Sequence, residues 1–175
     1  MSFNLDATIR KVADFPKPGI LFYDITGIVS NPEAFAYCID RMLGLYSDKN
    51  IEAVAAIDSR GFLFAAPFAH KLGLPIILVR KNGKLPGETY KQSYMLEYGE
   101  DAIEIKKDDL DQKRRILVVD DLIATGGTLK ATIDIIESAG SSVAGVFAVI
   151  GLPFLNYQKT LKDVPVNTLI EYHGE

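Results

Sequence analysis

Apolar residues follow two periodicities that alternate along the chain. Short continuous apolar runs at residues 53–57, 75–79, 116–119 and 143–150 read as strands, and the run at 116–119 is buried on both faces. Between them the spacing changes. Phe35, Cys38, Ile39, Met42, Leu43 and Tyr46 recur at helical intervals. Asn31-Pro32 opens this helix with an N-cap and a proline at the first helical position. Residues 62–72 read as a second helix, with Pro67 in its first turn or at a kink. Leu129, Ile133 and Ile136 mark a third, stopped by Gly140. Leu5, Ile9 and Val12 predict a short helix over residues 4–13, with Asn4 or Ser2 as N-cap. Residues 165–171 predict an edge strand. Strands alternating with helices describe an α/β fold: an open, mostly parallel sheet flanked by helices, one domain over residues 1–175. Right-handed crossovers would bring the strands' carboxyl ends to one rim.

Composition narrows the function classes. The net charge of −4 argues against a general nucleic-acid partner. The single cysteine, Cys38, permits neither an internal disulfide nor a cysteine-based metal site, and its place on the helical stripe makes it a core residue. Neither His70 nor His173 stands near a second metal ligand. No apolar run approaches the roughly 18 residues of a membrane span, and no basic-then-apolar leader opens the chain. The expectation is a cytoplasmic protein with no membrane partner.

The chemistry concentrates after residue 119. The strand 116–119 runs into Asp120-Asp121, then into Ala124-Thr125-Gly126-Gly127-Thr128, and then into a helix. Glycine turns without a Cβ clash and lets backbone N–H groups approach an anion. A helix mouth presents unpaired N–H groups and the positive end of the dipole. Ionised Asp120 and Asp121 only accept hydrogen bonds, which suits the hydroxyls of a ribose or the water shell of a metal. Together the parts describe a sugar carrying a phosphate; the plainer alternative is a capped strand-to-helix turn. The order excludes a Walker loop, and G-x-G-x-x-G is absent.

Other clusters follow strand ends as well. Asp58-Ser59-Arg60-Gly61 offers a guanidinium fork for phosphate oxygens, or an ordinary N-cap with a surface arginine. Arg80-Lys81-Asn82-Gly83-Lys84 packs three cations into five residues; Arg80 and Lys84 are the pyrophosphate candidates. Phe15 to Asp24 holds two prolines and a glycine and exposes Leu21, Phe22 and Tyr23, which suit stacking on a flat heterocycle or a plug over the core. Residues 85–100, polar and rich in tyrosine, read as a lid able to form a hairpin with residues 102–105.

Residues 118–128 resemble the phosphoribosyl pyrophosphate (PRPP) signature of type I phosphoribosyltransferases. Phe15-Pro16-Lys17-Pro18-Gly19-Ile20-Leu21-Phe22, residues 58–64, residues 80–86 and Leu96-Glu97-Tyr98-Gly99 narrow the likeness to the adenine phosphoribosyltransferase family. The five motifs occur in the family's order. The resemblance runs from about residue 3 to about residue 149, and the segment beyond matches poorly. It implies conversion of adenine and PRPP to AMP and pyrophosphate, with other purine transferases or a non-catalytic PRPP sensor as alternatives. It also implies Mg²⁺ carried on PRPP, pyrophosphate and water rather than by direct protein ligands, and a homodimer; the exposed-looking aromatics near residues 62–68 are the candidates for its interface. The site assignments it implies are a hood over residues 1–30 whose Leu21, Phe22 and Tyr23 meet adenine, and a pyrophosphate loop at Ser59 and Arg60 with a cis peptide at Asp58–Ser59. Arg80 and Lys84 take the pyrophosphate with that loop. Asp120 and Asp121 hold the ribose, and Ala124, Thr125, Gly126, Gly127 and Thr128 the 5′-phosphate. The lid, over residues 82–105, carries Tyr98 and a proton-transfer Glu97. Relatives often carry Arg where Tyr23 stands.

Overall fold

The structure is a computed structural model that describes residues 3–96 and 99–174. Its main sheet has seven strands: β3 (Ala53–Ile57), β4 (Ile76–Lys81), β5 (Thr89–Leu96), β6 (Gly99–Lys106), β7 (Arg115–Ile123), β8 (Ser142–Gly151) and β9 (Val166–Glu171). They lie in the order β5-β6-β4-β3-β7-β8-β9. The five from β4 to β9 pair in parallel; β6 joins β4, and β5 joins β6, antiparallel. The expected mostly parallel sheet is present. Every residue of β3, and Ile116 to Val119 of β7, is buried, as continuous apolar runs require when both faces are covered.

Helices cover both faces. α2 (Pro32–Tyr46) and α3 (Gly61–Leu72) pack with Val54, Ala56, Leu117 and Val119, while α4 (Gly127–Ser138) packs with Ala53, Ala55, Ile116 and Val118 on the other side. Alternation along each strand separates these two cores. Asn31 caps α2 by accepting from the N–H groups of Glu33 and Ala34. Cys38 is buried, and its thiol is pushed up to about 12 by burial. Pro67 lies inside α3, and Gly140 follows α4 in the left-handed region.

Two expectations need correction. Residues 4–13 form no single helix: a 3₁₀ turn at Asp6–Thr8 leads into β1 (Arg10–Ala13), which pairs antiparallel with β2 (Leu21–Asp24). Leu5 and Ile9 are buried as their spacing suggested, but cross-strand pairing captures the residues after them, and Val12 is exposed. A short helix, α1 (Thr26–Val29), then precedes α2. The aromatics of α3 do not form an outer face: Phe64 and Phe68 are fully buried in the chain's own core. The segment after Gly151 is ordered and packed. It contains α5 (Tyr157–Thr160) as well as the expected edge strand β9, and Tyr157 and Leu161 are buried. The hairpin expected of the lid is present as β5–β6.

Candidate active site at the sheet's switch point

β3 and β7 are neighbours whose chains leave in opposite directions. β3 continues through α3 to β4 on one side, and β7 through α4 to β8 on the other. Such a reversal opens a crevice beyond the strands' carboxyl ends. The loop Asp58–Arg60 rises from β3 at that crevice, and Asp120 and Asp121 follow the continuously buried run Ile116–Val119 of β7.

Gly61 lets the two meet. A Cβ there would stand 2.8 Å from the Val119 carbonyl oxygen and 3.1 Å from the Asp120 Cα. With no side chain between them, Arg60 Nε comes to 2.9 Å from Asp121 Oδ2. That contact is ionic rather than an aligned hydrogen bond; the buried Oδ2 has no hydrogen-bond partner among the described residues. The Asp120 side chain accepts the Asp121 N–H at 2.8 Å. Burial first, and the Asp121 carboxylate second, push the Asp120 carboxyl well above the ordinary carboxylate range. The peptide bond Asp58–Ser59 is cis.

A cavity of about 280 Å³ occupies the crevice, lined by Asp58, Ser59, Arg60, Arg80, Asp120 and Asp121, with Lys81 of β4, Tyr94 of β5, Asp101 of β6 and Thr128 of α4. Arg80 Nε donates to Asp58 Oδ2 at 3.1 Å, which holds the guanidinium at the rim. Lys84 does not line this cavity; Lys81 does, 3.5 Å from Asp101. The backbone N–H groups of Lys84 and Leu85 both donate to Glu104 at 2.8 Å, and Glu104 is buried on β6. Glu104 therefore anchors the cationic turn. Tyr94 and Asp101 are cross-strand partners in the β5–β6 hairpin, with the Tyr94 hydroxyl 3.4 Å from Asp101 Oδ2. Lys81, Tyr94, Asp101 and Glu104 escaped the sequence reading because their roles depend on hairpin register. The available signal was the polar alternation on either side of Gly99.

A second cavity, of about 160 Å³, adjoins the first through Asp120 and Thr128 and is lined by Ala124, Thr125, Gly126, Gly127 and Thr128. Gly126 adopts a φ of 83°, the left-handed turn that starts α4. The first turn of α4 leaves N–H groups without helical partners beside this cavity, so it is suited to an anion.

The hood reaches the same place. The guanidinium carbon of Arg60 lies 5.5 Å from the centre of the Phe22 ring, and Phe15 meets Phe22 edge-on at 5.0 Å. Leu21 is half-buried against the core. Tyr23 shares Leu21's side of the strand and faces away from Phe22, because neighbours on a strand point to opposite sides. It is 3% exposed and stacks on Tyr172 with ring centres 4.2 Å apart. Its ring is committed there and does not join Phe22, so the expectation of Tyr23 as a base contact does not fit the geometry. Glu97 and Tyr98 lie outside the described residues. Among the described residues no group of three or more acidic, histidine or cysteine side chains is placed to hold a metal ion, and no helix is long and apolar enough to cross a membrane.

The crevice thus joins an acid pair, an anion-suited helix mouth, a cationic rim and an aromatic edge. Residues 24–167 match the phosphoribosyl transferase domain model. The chain is 61% identical to an adenine phosphoribosyltransferase of Treponema denticola over 171 residues, 98% of this chain and 90% of that one. That span corrects the expectation that similarity fades after residue 149. Two solved structures superpose closely. The adenine phosphoribosyltransferase of Thermoanaerobacter pseudethanolicus has a TM-score of 0.92 at 41% identity, covering 96% of this chain and 98% of that one. The enzyme of Saccharomyces cerevisiae, complexed with D-2,5-dideoxy-2,5-imino-altritol 1,6-bisphosphate and adenine, has a TM-score of 0.89 at 36% identity, covering 95% and 96%. The chain belongs to the phosphoribosyltransferase family and, within it, to the adenine phosphoribosyltransferases.

Proposed function

We propose that this chain transfers the 5-phosphoribosyl group of PRPP to adenine, giving AMP and pyrophosphate in purine salvage. The observation that carries the reading is the convergence of Asp121, Arg60 and Phe22, from β7, the β3–α3 loop and the hood, on one crevice. A base nitrogen forms the new bond to C1 of the ribose as the C1–pyrophosphate oxygen bond breaks, and the electron pair leaves with pyrophosphate. The transition state is oxocarbenium-like. Asp120 and Asp121 hold the ribose hydroxyls and favour its positive charge. Residues 124–128 grip the 5′-phosphate, and that remote grip orients C1. Ser59, Arg60 and Arg80 take the departing pyrophosphate. Lys81 is better placed than Lys84 to join them.

Three cations (Arg60, Arg80, Lys81) face four acids (Asp58, Asp101, Asp120, Asp121) across the larger cavity. That donor set is too acidic to hold PRPP by itself, and it suits a hydrated Mg²⁺ carried on the substrate. When bound, Mg²⁺ would neutralise charge on the leaving group. Phe22 packs on the purine, while Leu21, on Tyr23's side of the strand, packs on the core behind it. Glu97 manages a proton on the base, and the lid with Tyr98 excludes water.

The chain works in the cytoplasm as a homodimer. Its interface is the face carrying Leu63 of α3 and Ile76 and Leu78 of β4, which are 42%, 38% and 37% exposed. Rates with PRPP on adenine, hypoxanthine, guanine and xanthine test the substrate. Adenine should be turned over at least tenfold faster than any other purine. An equal rate on an oxopurine would refute the assignment.

A further inference from the structure

The hood is a two-stranded ribbon separate from the main sheet. Such ribbons are marginal in water without something to pack against. All four residues of β1 are exposed, so β1 offers no buried face of its own. β2 packs Leu21 and Tyr23 against the main core, and further support comes from the other end of the chain. β9 is rooted in the main sheet by parallel pairing with β8, and the Tyr172 N–H donates to the Gly151 carbonyl at 3.0 Å. Gly151 in turn pairs with Ile123 of β7, the strand that carries the acid pair.

From that fixed backbone the Tyr172 side chain crosses to the hood. Its ring stacks on Tyr23 with an interplanar angle of 17°. Its hydroxyl donates to Asp6 Oδ1. Lys11 Nζ lies 4.7 Å over the same ring and 3.0 Å from Asp6 Oδ1. The Tyr23 hydroxyl stands 3.4 Å from the Gly174 carbonyl oxygen. Tyr23 and Phe22 occupy opposite faces of one short strand, so the seat of Tyr23 sets the position of Phe22 over Arg60.

We infer that Tyr172 is a positioning residue for the base slot: a strut from the main sheet that holds Phe22 over the switch point and thereby sets affinity for the purine but not for PRPP. The inference rests on the reading of Phe22 as a base contact.

Steady-state kinetics on the full chain test it. Tyr172→Ala should raise the KM for adenine about tenfold, the order expected from losing a close aromatic pair and its ties. The KM for PRPP and kcat should stay within about twofold. Tyr172→Phe keeps the stack and should restore most of the affinity. Asp6→Ala and Tyr172→Phe, which remove the same hydrogen bond, should not add. In a Phe22→Ala background, Tyr172→Ala should raise the adenine KM no further. An unchanged adenine KM in Tyr172→Ala, or equal rises for both substrates, overturns the strut. If Phe22→Ala raises the adenine KM while Tyr172→Ala does not, the strut fails alone. If Phe22→Ala leaves it unchanged, the base-slot reading itself fails. Should Tyr172→Ala not fold, Asp6→Ala and Tyr172→Phe decide: additive effects, or an adenine KM unchanged in both, overturn the inference.

Discussion

Gly61→Ala adds one methyl group at the joint between the two halves of the site. The new Cβ would lie 2.8 Å from the Val119 carbonyl oxygen, about 0.6 Å inside ordinary contact. β7 cannot yield, because it is hydrogen-bonded on one side to β3 and on the other to β8. The start of α3 must therefore move away and carry Arg60 from Asp121. Overpacking of this kind costs about 1–3 kcal/mol of stability. A displacement of more than half an ångström in a positioning group should lower kcat by about tenfold, within the roughly hundredfold known for a 1 Å error. Urea denaturation and steady-state kinetics measure the two losses. Gly44→Ala supplies the contrast. Gly44 lies on the exposed side of α2 with nothing within 4 Å of its Cβ position, so alanine there should stabilise by about 0.5–1 kcal/mol and leave kcat alone. Wild-type stability and turnover in Gly61→Ala would refute the argument that close approach at this glycine assembles the site.

Other predictions concern charge, the lid and assembly. Asp120 has a raised carboxyl value in the folded chain, so the stability tied to its proton is fully present below the ordinary carboxylate value and is lost as pH rises. Asp120→Asn should therefore be more stable than wild type at pH 7, by about 1 kcal/mol, with the gain vanishing near pH 4; a variant less stable at pH 7 contradicts the burial argument. The double variant Asp120→Asn, Asp121→Asn should lose turnover far beyond any change in stability, and wild-type turnover would remove the pair from the ribose. Glu97→Ala should lower kcat while PRPP binding, followed by calorimetry, persists; an unchanged rate takes Glu97 out of the chemistry. Leu63→Arg should shift the assembly toward monomers in sedimentation, and an unaltered dimer would place the interface elsewhere.

Much of this was legible in the one-dimensional pattern because it depends on neighbours in sequence. The buried strand, acid pair, glycine turn and helix start of residues 116–128 are contiguous, and each step follows from local physics: apolar periodicity, left-handed glycine, unpaired N–H groups at a helix mouth. The five parallel strands follow from the same alternation. Where register or a distant partner decided the outcome, the pattern misled. Leu5, Ile9 and Val12 carry helical spacing, yet residues 10–13 pair with 21–24, because a cross-strand partner outweighs weak local propensity. Phe64 and Phe68 could face either way on a helix that is apolar all round, and only packing turned them inward. Lys81 rather than Lys84 lines the cavity because the register of β4 against β6 and the buried Glu104 set the turn. Tyr172 stands far from Tyr23 along the chain and 4.2 Å from it, ring to ring, in space. The sequence by itself determined the chemical parts and their local geometry, since these arise within a few residues. Tertiary structure alone decided which parts share a crevice and what holds the hood over it, since those contacts join segments whose separation no local pattern encodes.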